Sequence, residues 1–161
     1  KNINNSVKII GKYINSKTRI ETHCEICGHT WYPLPDSLLR GSGCPKCNFS
    51  RGENYIYNFL SLHQISFIPQ KRFDGLVGIN NGQLSYDFYL PKHSVLIEYQ
   101  GEQHYKSIDY YGGDKHLEKQ TEHDKRKREY AKQNNIKLVE IPYWEFDNIK
   151  EILSKELGLV A

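Results

Sequence analysis

The chain has no methionine, and its four cysteines all fall before residue 48. No apolar run is long enough to cross a membrane, and no charged-then-apolar leader opens the sequence. Neither a membrane-spanning protein nor a secreted disulfide miniprotein is therefore expected. Internal repeats and low-complexity tracts are also missing, which argues against solenoids and disordered linkers. No single charge dominates: the formal net charge is +3 and 38% of residues are hydrophobic, as in a soluble globular chain. A start at Lys1 with no methionine reads as a piece of a longer product. A length of 161 residues accommodates one ordinary domain, or one domain plus a small stapled module.

What is present begins with the cysteines. Cys24-x-x-Cys27 and Cys44-x-x-Cys47 are separated by sixteen residues. Two such knuckles offer four thiolates to one tetrahedral ion, so the expected cofactor is a structural zinc. Two disulfides and a rubredoxin-like iron are the competing readings of the same spacing. A segment of fifty residues buries little core, and a metal would supply its folding energy. TRIETHCEICGHTWYPLPDSLLRGSGCPKC resembles the treble-clef zinc fingers of phage-encoded nucleases, over about residues 8 to 48. The expected division is a zinc module at 1–50 and a second domain at 51–161.

In the second domain, Ser50-x-x-Glu53 reads as a capping box opening a helix, with Ile56, Phe59, Leu60 and His63 at helical spacing. SFIPQKRF reads as a strand that Pro69 restricts to an edge or a bulge, and DGLVGINNGQ as turn. LSYDFYL (84–90) alternates, with Leu84, Tyr86, Phe88 and Leu90 on one face and Ser85, Asp87 and Tyr89 on the other. After a turn at 91–94, VLIEYQ (95–100) returns. A helix over about 115–133, a strand in IKLVEIPYW and a closing helix in FDNIKEILSKEL complete the chain. The order is helix, three strands, helix, strand, helix.

If Leu90 pairs with Val95 across the four-residue turn, paired residue numbers sum to 185. Asp87 then faces Glu98 and Ser85 faces Gln100, with Cβ atoms about 5 Å apart. Opposed carboxylates destabilise a sheet unless a cation lies between them, so the pair asks for a divalent metal with oxygen ligands. The plain alternative is a solvated face carrying two unrelated acids. HDKRKREYAK holds five Lys/Arg in ten positions; Lys125, Arg126, Lys127 and Arg128 are candidate phosphate contacts, or a solvated helix face. Leu117, Gln120, Asp124, Lys127 and Ala131 form a helical stripe, so Asp124 is expected to enter a site or to pair with Lys127 or Arg128.

Asp87, ten residues, then Glu98-x-Gln100, in this element order, resembles the PD-(D/E)xK nuclease superfamily. GENYIYNFL, YDFYLP, LIEYQGEQHY and EKQTEHDKRKREYAKQNNIKLVEIPY are similar to the EDxHD homing endonucleases, relatives of the very-short-patch repair endonuclease. The resemblance implies an α/β restriction-endonuclease-like core and Mg²⁺- or Mn²⁺-dependent cleavage of double-stranded DNA, with a dimer where both strands are cut. It further implies the cytoplasm of a bacterial or phage-infected cell. Carried over by residue, Glu53 is the first acid, Asp87 and Glu98 hold the metal with help from the Tyr99 carbonyl, His104 is the proton-transfer imidazole, and Asp124 or Glu53 orients it. Gln100 stands where most superfamily members carry lysine, which shifts the proton work to His104. A nucleic-acid-binding module without chemistry, and a repair- or restriction-type nuclease, are the alternatives.

Overall fold

The computed structural model describes residues 7–45, 47 and 49–159. By its contacts the chain divides into two compact units, Lys1–Phe59 and Leu60–Ala161. Among the described residues it is a mixed α/β structure with two sheets and four α-helices.

The first unit carries strands β1 (Val7–Ile9), β2 (Thr22–Cys24) and β3 (Thr30–Trp31) in one antiparallel sheet of that order. Val7 pairs with Cys24 and Thr22 with Trp31. The small helix α1 (Pro35–Leu39) starts on Pro35, whose fixed φ suits the first helical position. Val7, Ile20 and Leu38 form a small buried cluster with Trp31 packed against it. A cluster of three aliphatics contributes little folding energy by itself.

Helix α2 (Arg51–Leu62) runs across the division between the units. The capping box is formed: Ser50 N–H donates to Glu53 Oε2 at 2.7 Å, and Glu53 N–H to Ser50 Oγ at 3.2 Å. Ile56, Phe59 and Leu60 are buried as expected, but His63 lies beyond the last helical residue and is exposed.

The second unit is built on a four-stranded sheet in the order β4 (Ile68–Val77), β5 (Gln83–Leu90), β6 (Val95–Gln100), β7 (Lys137–Pro142). β4 to β6 form an antiparallel meander. Helix α3 (Gly113–Gln133) carries the chain over to β7, which lies parallel to β6 with Glu98 beside Glu140. Pro69 sits on the edge strand, where its missing N–H costs no ladder bond. β4 shifts register between Arg72 and Val77, and it extends through 74–77, which the sequence suggested was turn. β6 is central and buried along nearly its whole length. A helix α4 (Ile149–Glu156) closes the unit after a 3-10 segment, Tyr143–Asn148, that takes in the Tyr-Trp expected to end the strand.

The 185 register holds: Leu90↔Val95, Tyr89↔Leu96 and Phe88↔Ile97. The face assignment for β5 holds less far. Tyr86 and Tyr89, three residues apart, both pack on the cluster of Leu76, Leu96 and Ala131, whereas Phe88 meets Phe67 edge-on at 5.6 Å. Burial along β5 still alternates, with Tyr86, Phe88 and Leu90 buried, and the backbone ladder to β6 ends at Phe88.

Candidate active site

Beyond Phe88↔Ile97, side chains take over the bonding between β5 and β6. Asp87 N–H donates to Glu98 Oε1 at 3.2 Å, and Tyr99 N–H donates to Asp87 Oδ2 at 2.7 Å. The two acids are thus adjacent, as the register requires. Their position at the end of the ladder puts carboxylates where backbone amides would otherwise lack acceptors. The Ser85–Gln100 pairing is not formed. Ser85 Oγ donates to Gln70 Oε1 at 3.0 Å, and Gln100 lies beside Pro142 of β7.

Glu98 is 4% exposed, and burial pushes its carboxyl above the ordinary value despite an adjacent cation. That cation is Lys127, whose Nζ lies 3.0 Å from both Glu98 oxygens. Its placement is tightly determined. The Tyr86 hydroxyl donates to the Lys127 carbonyl at 2.6 Å, and the ammonium lies 5.8 Å from the Tyr86 ring centroid. This is a correction to the reading of Lys127 as a phosphate contact, because its side chain is 13% exposed and turned to the sheet. Arg128 reaches both oxygens of Glu140 at 2.8 and 3.0 Å, and Arg126 pairs with Glu122 at 2.8 Å. Lys125 points outward.

One turn earlier on α3, Asp124 is buried and accepts from two side chains. His104 Nδ1 lies 2.9 Å from Asp124 Oδ2, and Gln120 Nε2 lies 3.0 Å from Oδ1. A carboxylate opposite Nδ1 fixes the tautomer with the proton on Nδ1, leaving Nε2 as the basic nitrogen. Gln120 Nε2, 3.3 Å from the same Nδ1, then meets a donor and forms no bond to it. Burial alone would raise the Asp124 carboxyl, but the His104 and Gln120 hydrogen bonds outweigh it and hold it below its ordinary value. Of the two expectations for Asp124, a site or an ion pair with Lys127 or Arg128, the ion pair is not formed, since both cations are engaged elsewhere.

His104 ends a short 3-10 turn, Glu102–His104, immediately after β6. Gln100 anchors that turn: its oxygen accepts from the Tyr105 hydroxyl, and its Nε2 donates to Glu140 Oε1 at 2.6 Å. These bonds commit the Gln100 amide to the turn and to β7. Gln100→Ala should cost about 1–3 kcal/mol, because two hydrogen bonds of a buried amide are lost at about 0.5–1.5 kcal/mol each. Thermal unfolding unchanged to within a few tenths of a kcal/mol would show that the clasp carries no weight.

The structure therefore forms two linked pairs, Asp87 with Glu98 and His104 with Asp124; Lys127, which binds Glu98, lies three residues after Asp124 on the same helix. Glu53 belongs to the first unit, where its carboxylate closes the capping box of α2. Lys127 was the residue whose role sequence reasoning missed; its place on the Leu117–Ala131 stripe was the available signal.

In the first unit the four cysteines converge. Sγ atoms of Cys24 and Cys47 are 3.7 Å apart, as are those of Cys27 and Cys44, and all four fit within 4.8 Å. Sulfurs tetrahedrally bound to zinc at 2.3 Å are separated by about 3.8 Å, so the cage has the size of a zinc site. A disulfide would need about 2.05 Å. The first knuckle forms because Gly28 takes a φ of 71°, which lets Cys24 N–H reach the His29 carbonyl at 2.8 Å. Burial and neighbouring sulfurs push the Cys47 thiol up, an effect a bound cation would reverse. Among the described residues, this is the one cluster of three or more His, Cys, Asp or Glu able to hold a metal ion.

One zinc per chain is expected by elemental analysis. Cys44→Ser should remove hydrogen-exchange protection from β1 to β3 while β4 to β7 keep theirs, since metal binding supplies most of that unit's folding energy. A preparation containing no zinc, or iron in its place, contradicts this.

Residues 1–48 match the CapR homology domain. The chain is similar to "Uncharacterized protein 094L" of Frog virus 3 (isolate Goorha), 40% identical over 84 residues, covering 47% of this chain and 54% of that protein. It is also similar to "Uncharacterized protein 307L" of Invertebrate iridescent virus 6, 39% identical over 64 residues, covering 39% of this chain and 32% of that protein. The chain thus spans about half of the first relative and about a third of the second. No solved structure matches it.

Proposed function

We propose that the second unit is a divalent-metal-dependent DNA endonuclease core of the EDxHD type, and that the four-cysteine module is its zinc-bound, treble-clef companion. One observation carries the reading: an opposed acid pair, Asp87 and Glu98, lies beside a buried His104–Asp124 dyad, all connected through α3. The helix, three strands, helix, strand, helix order supports it. So does the parallel placement of β7 against the acid-bearing strand.

The residues suit the metal in kind. Two carboxylates from adjacent strands are the oxygen donors that Mg²⁺ and Mn²⁺ take, and Asp87 and Glu98 would hold the ion. When bound, it supplies Lewis-acid polarisation of the scissile phosphate. The remaining work falls to the protein. Asp124 fixes the His104 ring, and Nε2 accepts a proton from the attacking water or, once protonated, gives one to the leaving oxygen. Gln120 holds the second Asp124 oxygen, so the dyad cannot swing. Lys125, exposed on the same helix, is the member of the basic run disposed to meet backbone phosphate.

Supercoiled plasmid incubated with Mg²⁺ or Mn²⁺ tests this directly. Nicked or linear product that disappears with EDTA is expected, and the product form reports whether one strand or both are cut. The clasp of Gln100 between Tyr105 and Glu140 favours a second reading, a nucleic-acid-binding module without chemistry. It predicts retained plasmid, unaffected by metal, with salt-dependent DNA binding.

A further inference from the structure

The ammonium of Lys127 does more than neutralise a buried acid. It sits symmetrically across Glu98, 3.0 Å from each oxygen, while Asp87 N–H takes a further site on Oε1. A divalent ion must use those same oxygens if Glu98 is to ligate it. The ammonium is also tightly placed, its backbone carbonyl bound by the Tyr86 hydroxyl and its charge over the Tyr86 ring. Asp87 is differently engaged: Tyr99 N–H takes Oδ2, and the Gln70 amide lies 3.4 Å from Oδ1.

We infer that Lys127 is an internal counter-cation that competes with the divalent ion for Glu98, a positioning residue that sets how tightly the acid pair holds metal. This rests on the acid pair being the metal site. In the resting protein the Lys127 charge stabilises two acids that would otherwise repel across the hairpin, so the sheet holds its register without metal. An arriving ion first meets Asp87 and gains Glu98 only as the ammonium withdraws. Affinity is thereby lowered, and the site fills at high free-ion concentration or when a further anion draws Lys127 away.

Mn²⁺ titration of the full chain without DNA, followed by calorimetry or electron paramagnetic resonance, tests this apart from any nuclease assay. Lys127→Gln should bind Mn²⁺ roughly tenfold more tightly than the wild type, because a unit charge in contact with the ligand is removed. The gain must vanish in Lys127→Gln/Glu98→Gln, where no carboxylate remains to be released. Unchanged or weaker binding by the single variant overturns the inference. A gain that persists in the double variant also overturns it, since that would be a general field effect rather than competition for Glu98. Should Lys127→Gln fail to fold with Glu98 unpaired, the wild type decides: Mg²⁺ must shift the Lys127 ¹⁵Nζ resonance, which is identified by its absence from the neutral double variant. An unmoved resonance at saturating Mg²⁺ refutes the displacement. If the wild type binds Mn²⁺ as described but leaves plasmid intact, the nuclease reading fails and this one stands.

Discussion

On the proposed nuclease reading, Asp87→Asn should lower metal-dependent cleavage of supercoiled plasmid by about 10³-fold or more and leave DNA affinity unchanged or tighter. The substitution removes a ligand charge worth several kcal/mol of transition-state stabilisation, at about 1.4 kcal/mol per factor of ten. It also removes a negative charge from beside phosphate, which is why binding does not suffer. The fold should persist, because the asparagine carbonyl still accepts the Tyr99 N–H that Asp87 Oδ2 now takes at 2.7 Å. Circular dichroism and filter binding establish that control. Cleavage within a few-fold of the wild type would place the chemistry elsewhere.

That the acid pair could be found at all follows from turn arithmetic. A four-residue turn between Leu90 and Val95 admits one register, and the observed pairs Phe88↔Ile97 and Tyr89↔Leu96 obey it. The stripe on α3 was legible for a similar reason, since a helix repeats its faces regardless of what it packs on. Asp124 and Ala131 are buried along it. The basic run was not legible. Written in a row, Lys125 to Arg128 look like one patch, yet successive residues turn by about 100° around the axis. That rotation sends Lys127 to Glu98, Arg128 to Glu140 and Arg126 to Glu122. Arg126 and Glu122 are an i, i+4 pair within the helix, whereas which acid Lys127 and Arg128 meet depends on where α3 lies over the sheet, a tertiary fact with no local signature. The same holds for Gln100, whose partners Tyr105 and Glu140 come from a turn and a parallel strand. The Glu53 cap, by contrast, is set by four consecutive residues and was readable directly.

His104→Ala should slow cleavage about 10²–10⁴-fold, the usual worth of a positioned acid or base, with Mn²⁺ binding by the acid pair intact. Asp124→Asn should cost a comparable factor. An amide presents either a carbonyl or an N–H to Nδ1, and the second choice traps the ring with its proton on Nε2, where no base remains. Because the two residues act as one unit, the double variant should be scarcely slower than the worse single. The pH dependence of stability bears on Asp124. A carboxyl held below its ordinary value when folded contributes stability that is complete above its unfolded pKa of about 3.9 and is lost as pH falls through the folded one. The dyad therefore stays linked throughout mildly acid conditions. Small, additive losses for the two single variants would mean that the His104–Asp124 contact, at 2.9 Å, holds the turn to α3 and moves no proton.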